Sequence, residues 1–258
     1  MKSMIKIIIN GIQGKVGRTI VQHLSQFSEI LCTGGSDLKT EPIPGLNIPI
    51  VQDIKTIISE CDTVIDFSTP AGMLEKLPIC VKFRKAMIIG TTGFTSKERA
   101  KIISVSKKIP IVLSSNFSLG ANLLFKEAAV AAQVLDESYD VEIVEQHHRY
   151  KKDAPSGTAL TAGESIAKIR KKSLEKIARW GRGRTEPRQK GEITFHSVRG
   201  GHLISEHTIL FLGDHEIFEI THRAYSREVF LDGLKKAIHF IINQKPGLYD
   251  MLDVLNLK

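Results

Sequence analysis

The 258-residue chain is long enough for two domains, each burying its own core. With 42% hydrophobic and 25% charged residues it has a globular composition, and no apolar run approaches the ~20 residues that span a bilayer. Lys+Arg 36 against Asp+Glu 28 leaves a net charge of +8, which favours anionic partners without choosing among nucleic acid, phosphates and carboxylates. Cys32, Cys61 and Cys80 are widely spaced in apolar surroundings, so they are read as reduced core thiols of a cytoplasmic protein, with neither a disulfide framework nor metal-ligand spacing. Met1 to Met4 lead straight into an apolar run, which is expected to leave no room for a signal segment.

Met4 to Ile9 form a short β-branched run of the kind found in buried parallel strands. Gly11-Ile12-Gln13-Gly14-Lys15-Val16-Gly17 follows, and then Ile20, Val21, Leu24 and Phe27 continue one helical face. Strand, glycine turn and helix are the context a dinucleotide fingerprint requires, here spaced G-x-x-G-x-x-G. A second strand is expected over 29–33, and Asp37 stands twenty residues past Gly17, where a carboxylate would meet the adenosine ribose. Lys39 could instead meet a 2′-phosphate, so NADH and NADPH both stay open.

Residues 40–60 contain Pro42, Pro44, Gly45 and Pro49, a loop-rich connection ending in a short helix at 54–58. Strands are expected at 62–67, 86–89 and 109–113, and helices around 74–83, with an unexplained Pro78 inside, and over 96–106. This alternation predicts a doubly wound parallel sheet whose ligand lies at the carboxyl ends of the strands. The loops at Gly11–Gly17, Phe67–Pro70, Gly90–Gly93 and Ser114–Phe117 would open on that edge.

Beyond it, 119–135 reads as a helix into a second domain, and 139–144 as a strand delivering His147 and His148. The stretch from Glu145 to Thr158 holds this imidazole pair, then Arg149, Lys151 and Lys152, then Asp153, Ala154, Pro155, Ser156, Gly157 and Thr158 at the start of a helix over 158–172. Helix amides, a lysine and an imidazole in one place would receive an anionic small molecule such as a dicarboxylate. Residues 178–190 read as a long basic loop, and 192–198, 207–212 and 215–222 as strands of alternating polarity. A helix over 226–243 and a tail over 247–258 close the chain. The histidines at 23, 196, 202, 207, 215, 222 and 239 are read as surface or interface residues.

With these pieces placed, the chain resembles the 4-hydroxy-tetrahydrodipicolinate reductase (dihydrodipicolinate reductase) family over nearly its whole length. The resemblance rests on 11–17, Asp66 to Pro70, Gly90 to Gly93, Ser115 to Ser118, Glu145 to Thr158, Ser197 to Gly201 with Glu206 to Thr208, and Glu219 to His222. It implies hydride transfer from NADH or NADPH to a cyclic unsaturated dicarboxylate imine in diaminopimelate and lysine biosynthesis, giving tetrahydrodipicolinate. It implies His147 and Lys151 as proton-transferring residues, with His148, Gly157 and Thr158 holding the substrate. The implied cofactor positions are Gly11, Ile12, Gln13, Gly14, Lys15, Val16, Asp37, Gly90, Thr91, Thr92, Ser114, Ser115, Asn116 and Phe117. Crowding by cations is expected to make Lys151 a better acid.

The implied fold is α/β: a Rossmann-type doubly wound parallel sheet, with a second α+β domain on a mixed or antiparallel sheet. Residues 1–117 with 226–258 would form the dinucleotide-binding domain, and 118–225 the substrate-binding and oligomerisation domain of a homotetramer. Thr69 and Leu38 stand where members often carry arginine, and Ser205 where glycine is usual, so the cofactor preference is not set. Acylating dehydrogenases need a nucleophilic cysteine, nucleic-acid binders need a recognisable motif, and a nucleotide sensor would have no use for Lys151; these alternatives make the chain's competitors.

Overall fold

In the computed structural model, residues 4–258 are described, so the reading of Met1 to Ser3 lies outside them. The elements run β1 (Ile5–Asn10), α1 (Lys15–Gln22), β2 (Ile30–Ser36), β3 (Ile50–Val51), β4 (Thr63–Asp66), α2 (Pro70–Lys82), β5 (Ala86–Ile89), α3 (Ser96–Ser106), β6 (Pro110–Leu113) and α4 (Leu119–Val134). They continue through β7 (Asp140–His147), α5 (Gly157–Ile169), α6 (Leu174–Ile177), β8 (Ala178–Trp180), β9 (Ile193–Arg199), β10 (Ser205–Leu212), β11 (Ile217–Ala224), α7 (Leu231–Ile241), β12 (Gly247–Tyr249) and α8 (Met251–Val254). The chain divides into two compact units, Met1–Phe117 with Phe230–Lys258, and Ser118–Val229.

The first unit is built on a parallel sheet ordered β12-β6-β5-β4-β1-β2-β3. Its strands read as continuous apolar runs because both faces are covered. Ile7 and Ile9 pack with Ile20 of α1 and Leu234, Ala237 and Ile238 of α7, whereas Ile8 packs with Met73 and Leu77 of α2 and Ile102 of α3. Pro78 is accommodated inside α2 because it stands on the exposed face, where its ring and missing N–H disturb no core contact.

Several expectations change here. The helix at 54–58 is two 3-10 turns, Ile54–Thr56 and Ile58–Glu60. The connection over 40–60 contains β3, and the expected tail contains β12 and α8, the latter held by an Asp250/Asp253 capping box.

In the second unit the sheet order is β11-β10-β7-β9-β8. It is mixed: β10 runs antiparallel to β7 and β11, while β7, β9 and β8 are mutually parallel. The expected loop at 178–190 therefore begins with a strand. Helices α4 and α5 cover one face, burying Val141, Ile143, Phe195, Ile209 and Phe211 beneath Leu124, Ala128, Ala162 and Ile166. Among the described residues no helix is long and apolar enough to cross a membrane.

Candidate active site

At the carboxyl ends of β1, β2, β4 and β5 the first unit gathers a polar network. The Gly11 and Ile12 amides donate to the Ser36 carbonyl at 2.8 and 3.4 Å, and the Gln13 amide donates to Asp37 Oδ2 at 3.0 Å. Gly11 has φ +80°, and a side chain there would strike the Phe67 carbonyl. Gly14 caps α1 without a side-chain hydrogen bond, so the Lys15 and Val16 amides open the helix with no side-chain acceptor in front of them. Asp66, wholly buried, accepts from Asn10 Nδ2 and Thr91 Oγ1, both at 2.5 Å, and from the Ser68 amide at 3.2 Å. Burial pushes the Asp66 carboxyl above the usual carboxylate range, against the lowering pull of these donors.

The predicted cofactor residues thus separate by what their side chains do. Ile12 and Phe117 are core residues, and Phe117 packs edge-on to Phe67 at 5.6 Å. Thr91 is turned inward to Asp66, while Ser114 Oγ closes a local turn on the Asn116 carbonyl at 2.7 Å. Gly11, Gln13, Gly14, Gly90 and Thr92 lie in the loops around them and Lys15 opens α1, and there the backbone is the principal feature on offer.

The second unit holds the other cluster. Along β7 the alternation that buries Val141 and Ile143 carries on to Glu145 and His147, so a carboxylate and an imidazole occupy core-facing positions. Glu145, with no exposed surface, accepts from Arg199 Nη1 at 2.8 Å and Nη2 at 2.6 Å, and from the Ser156 amide at 3.2 Å. His147 Nδ1 lies 2.5 Å from its Oε2. Burial raises the Glu145 carboxyl, but the bonds from His147, Arg199 and Ser197 outweigh it and hold that carboxyl well below the usual range. Ser156 caps α5 by accepting from the Ala159 amide, and its Oγ is 2.8 Å from His207 Nε2. His207 stands edge-on to His147, with ring centroids 5.2 Å apart. Burial, and then the neighbouring His147, pushes His207 down to about 3, so it is neutral.

Lys151 differs from expectation. Its ammonium is held by both oxygens of Asp153 at 2.8 Å, an acid in place of the anticipated crowd of cations. The Asp153 carbonyl in turn accepts from Arg199 Nη2 at 2.7 Å, which links the lysine loop to the buried Glu145. His148 is half-buried and lies 6.2 Å from the Tyr150 ring; Gly157 is exposed at the first turn of α5. His207 is a correction: the reading as a surface or interface residue fails because β10 places it on the covered face of the sheet. Glu145, Arg199, Asp66 and Asn10 were missed as candidates. The available signal was Glu-x-His at strand spacing, two polar residues where the alternation calls for apolar ones.

A family model described as dihydrodipicolinate reductase, N-terminus, matches residues 5–117, and one described as its C-terminus matches 120–255. The chain belongs to the dihydrodipicolinate reductase family. It is 39% identical to the 4-hydroxy-tetrahydrodipicolinate reductase of Geotalea uraniireducens over 99% of this chain and 100% of that one. The corresponding protein of Nitrosomonas europaea is 40% identical over 98% of this chain and 99% of its own. A solved dipicolinate-bound dihydrodipicolinate reductase from Paenisporosarcina sp. TG-14 superposes with a TM-score of 0.78 at 28% identity, covering 97% and 98% of the two chains. As a member of the dihydrodipicolinate reductase family the chain is an NAD(P)H-dependent oxidoreductase of diaminopimelate and lysine biosynthesis.

The residues present fit a dinucleotide. A Cβ on Gly17 would lie 2.3 Å from the Gly11 carbonyl, so helix and loop meet at a contact only glycine permits, directly behind the uncapped end of α1. Nothing comparable supports acylating chemistry. Cys32, Cys61 and Cys80 are buried, burial pushing the first two thiols up to about 11 and about 12 and the third further still.

Proposed function

We propose that the second unit binds 4-hydroxy-tetrahydrodipicolinate at the start of α5 and moves protons through His147 and Lys151, while the first unit holds NADH or NADPH. The observation carrying this reading is that His147 and the N-terminus of α5 share one buried carboxylate, Glu145, to which Lys151 is linked through Asp153 and Arg199. The Ser156 amide is spent on Glu145 and the Ala159 amide on the Ser156 hydroxyl. Gly157 and Thr158 open the same helix end and His148 precedes it in the chain, and a substrate carboxylate is favoured where that end carries partial positive charge. A dicarboxylate is the substrate class that the dipicolinate bound by the Paenisporosarcina relative also represents.

When bound, the reduced nicotinamide supplies the hydride. The chain's own part is then to deliver a proton to the reduced ring and to stabilise charge on its nitrogen. An imidazole and an ammonium are the groups suited to that near neutral pH. Gly11 to Val16, Asp37, Gly90 to Thr92 and Ser114 to Phe117 form the cofactor side of this reading. Asp37 accepts from the Gln13 amide and, at 3.4 Å, from the Lys39 amide. A carboxylate and an adjacent lysine together suit both cofactors, with a preference below about a hundredfold. The same reading places 1–117 with 226–258 as the nucleotide domain, 118–225 as the substrate and oligomerisation domain, and the protein as a cytoplasmic homotetramer.

The test is nicotinamide oxidation with the product of the preceding synthase as substrate, run with either cofactor. His147→Ala and Lys151→Ala should each lower kcat by about 10² or more, as loss of a general acid does. Nucleotide affinity should be retained. Unchanged turnover in both variants would end the mechanism.

A further inference from the structure

We propose that the buried Glu145–Arg199 ion pair is a positioning device for His147, fixing which ring nitrogen keeps its proton so that Nε2 alone exchanges one with the substrate. This rests on the reading of His147 as a proton-transferring residue and goes beyond it by naming what sets its state.

The argument starts from donor and acceptor counts. Both Glu145 oxygens already receive donors: Oε1 from Arg199 Nη2 and the Ser156 amide, Oε2 from Arg199 Nη1, and the Ser197 side chain donates to the carboxylate as well. An ionised carboxylate only accepts, so the remaining contact, 2.5 Å to His147 Nδ1, requires an N–H on that nitrogen. In the neutral ring Nε2 is then the bare nitrogen, and in the charged ring it is the one with a proton to give. Arg199 makes this arrangement possible without excess charge. Its two-pronged grip neutralises Glu145 and fixes its plane, so the carboxylate orients the ring as one half of a neutral pair.

The surroundings support the assignment. The titratable and charged groups around His147 are Glu145 on β7, Arg199 on β9 and His207 on β10, with Asp153 joined to Arg199 through its carbonyl and Lys151 to Asp153 in the loop after β7. His207 is neutral and its Nε2 is engaged by Ser156, which removes it as a rival proton carrier. The Ser156 amide ties the same carboxylate to the first turn of α5, so ring and helix end share one anchor.

Glu145→Gln keeps size and shape but can present an NH₂ to Nδ1, which moves the resident proton to Nε2. The expected result is a fall in kcat of about 10²-fold with KM for the nicotinamide cofactor within about twofold. The ring nitrogen-15 shifts of His147 should report the Nδ1–H tautomer in the wild type and lose that signature in the variant. Should that variant not fold, Glu145→Gln/Arg199→Met removes both charges together and carries the same kinetic expectation. Turnover within about threefold of wild type with an unchanged ring-nitrogen signature overturns the inference. So does a loss shared by kcat and nicotinamide KM that tracks the melting temperature with that signature unchanged, since that is a merely structural role. A wild type that fails to oxidise either cofactor removes the activity reading and this inference with it, whereas an active wild type beside an indifferent variant removes the inference alone.

Discussion

His207 shows how one buried side chain makes the fold answer to pH. Its ordinary value of 6.5 is pushed down to about 3 in the folded chain, so the unfolded chain takes up a proton that the native one refuses. The stability it contributes is fully present above about 6.5 and is lost as pH falls toward about 3, at up to about 1.4 kcal/mol per unit. Between pH 7 and pH 5 this single group lowers stability by about 2 kcal/mol. His207→Gln retains a partner for Ser156 and removes the titration. Urea unfolding at both pH values and fixed protein concentration should therefore give a gap about 2 kcal/mol smaller in the variant. An unchanged gap would mean that His207 titrates normally. The residue also shows the limit of reading histidines singly: His147 stood out by its neighbours in the chain, whereas His207 gains its meaning from β7, where its partner Glu145 stands 62 positions earlier, through the antiparallel pairing of β10. Arg199 is a similar case, brought to Glu145 by the parallel pairing of β7 with β9.

Elements long enough to show their own periodicity were legible in the sequence. The strands from β1 to β6 other than β3, the helices α3, α4 and α5, and β7 all fall within a few residues of expectation, because each carries a full run of apolar residues or a cap. The pieces that were not legible are short. Strands β3, β8 and β12 have two or three residues each and exist because a neighbouring strand offers a free edge, information that no local pattern holds. The glycine loop was legible for a different reason: its constraint is steric and sits in the residue type itself. Gly17 of α1 lies against Gly11, and an added methyl would come within 2.3 Å of the Gly11 oxygen and 2.7 Å of Ile12 Cα, both backbone atoms that cannot swing aside. Gly17→Ala must push α1 away from the loop, at a cost of about 1–3 kcal/mol for overpacking. Binding of NADH and NADPH, followed by nicotinamide fluorescence, should weaken by at least about tenfold. Affinity unchanged from wild type would show that the loop does not set the cofactor's position.

At the scale of the whole molecule the net charge of +8 finds its use. Composition alone could not choose among anions, but a dinucleotide and a dicarboxylate are both anionic, and the exposed Arg149 and Lys152 flank the loop that carries Lys151. Charges of one sign spread over a surface raise the local concentration of oppositely charged ligands and speed their encounter, an effect that salt screens over about 10 Å at 0.1 M. The buried Glu145–Arg199–His147 arrangement lies largely outside solvent and is screened far less. The two effects therefore separate in a salt titration. Raising ionic strength from about 0.02 M to about 0.5 M should lower kcat/KM for substrate and cofactor several-fold while leaving kcat within about twofold. If kcat fell instead and kcat/KM held, the charge would be acting on the chemistry at the buried cluster and not on the approach of the ligands, and the excess of lysine and arginine would need a different explanation.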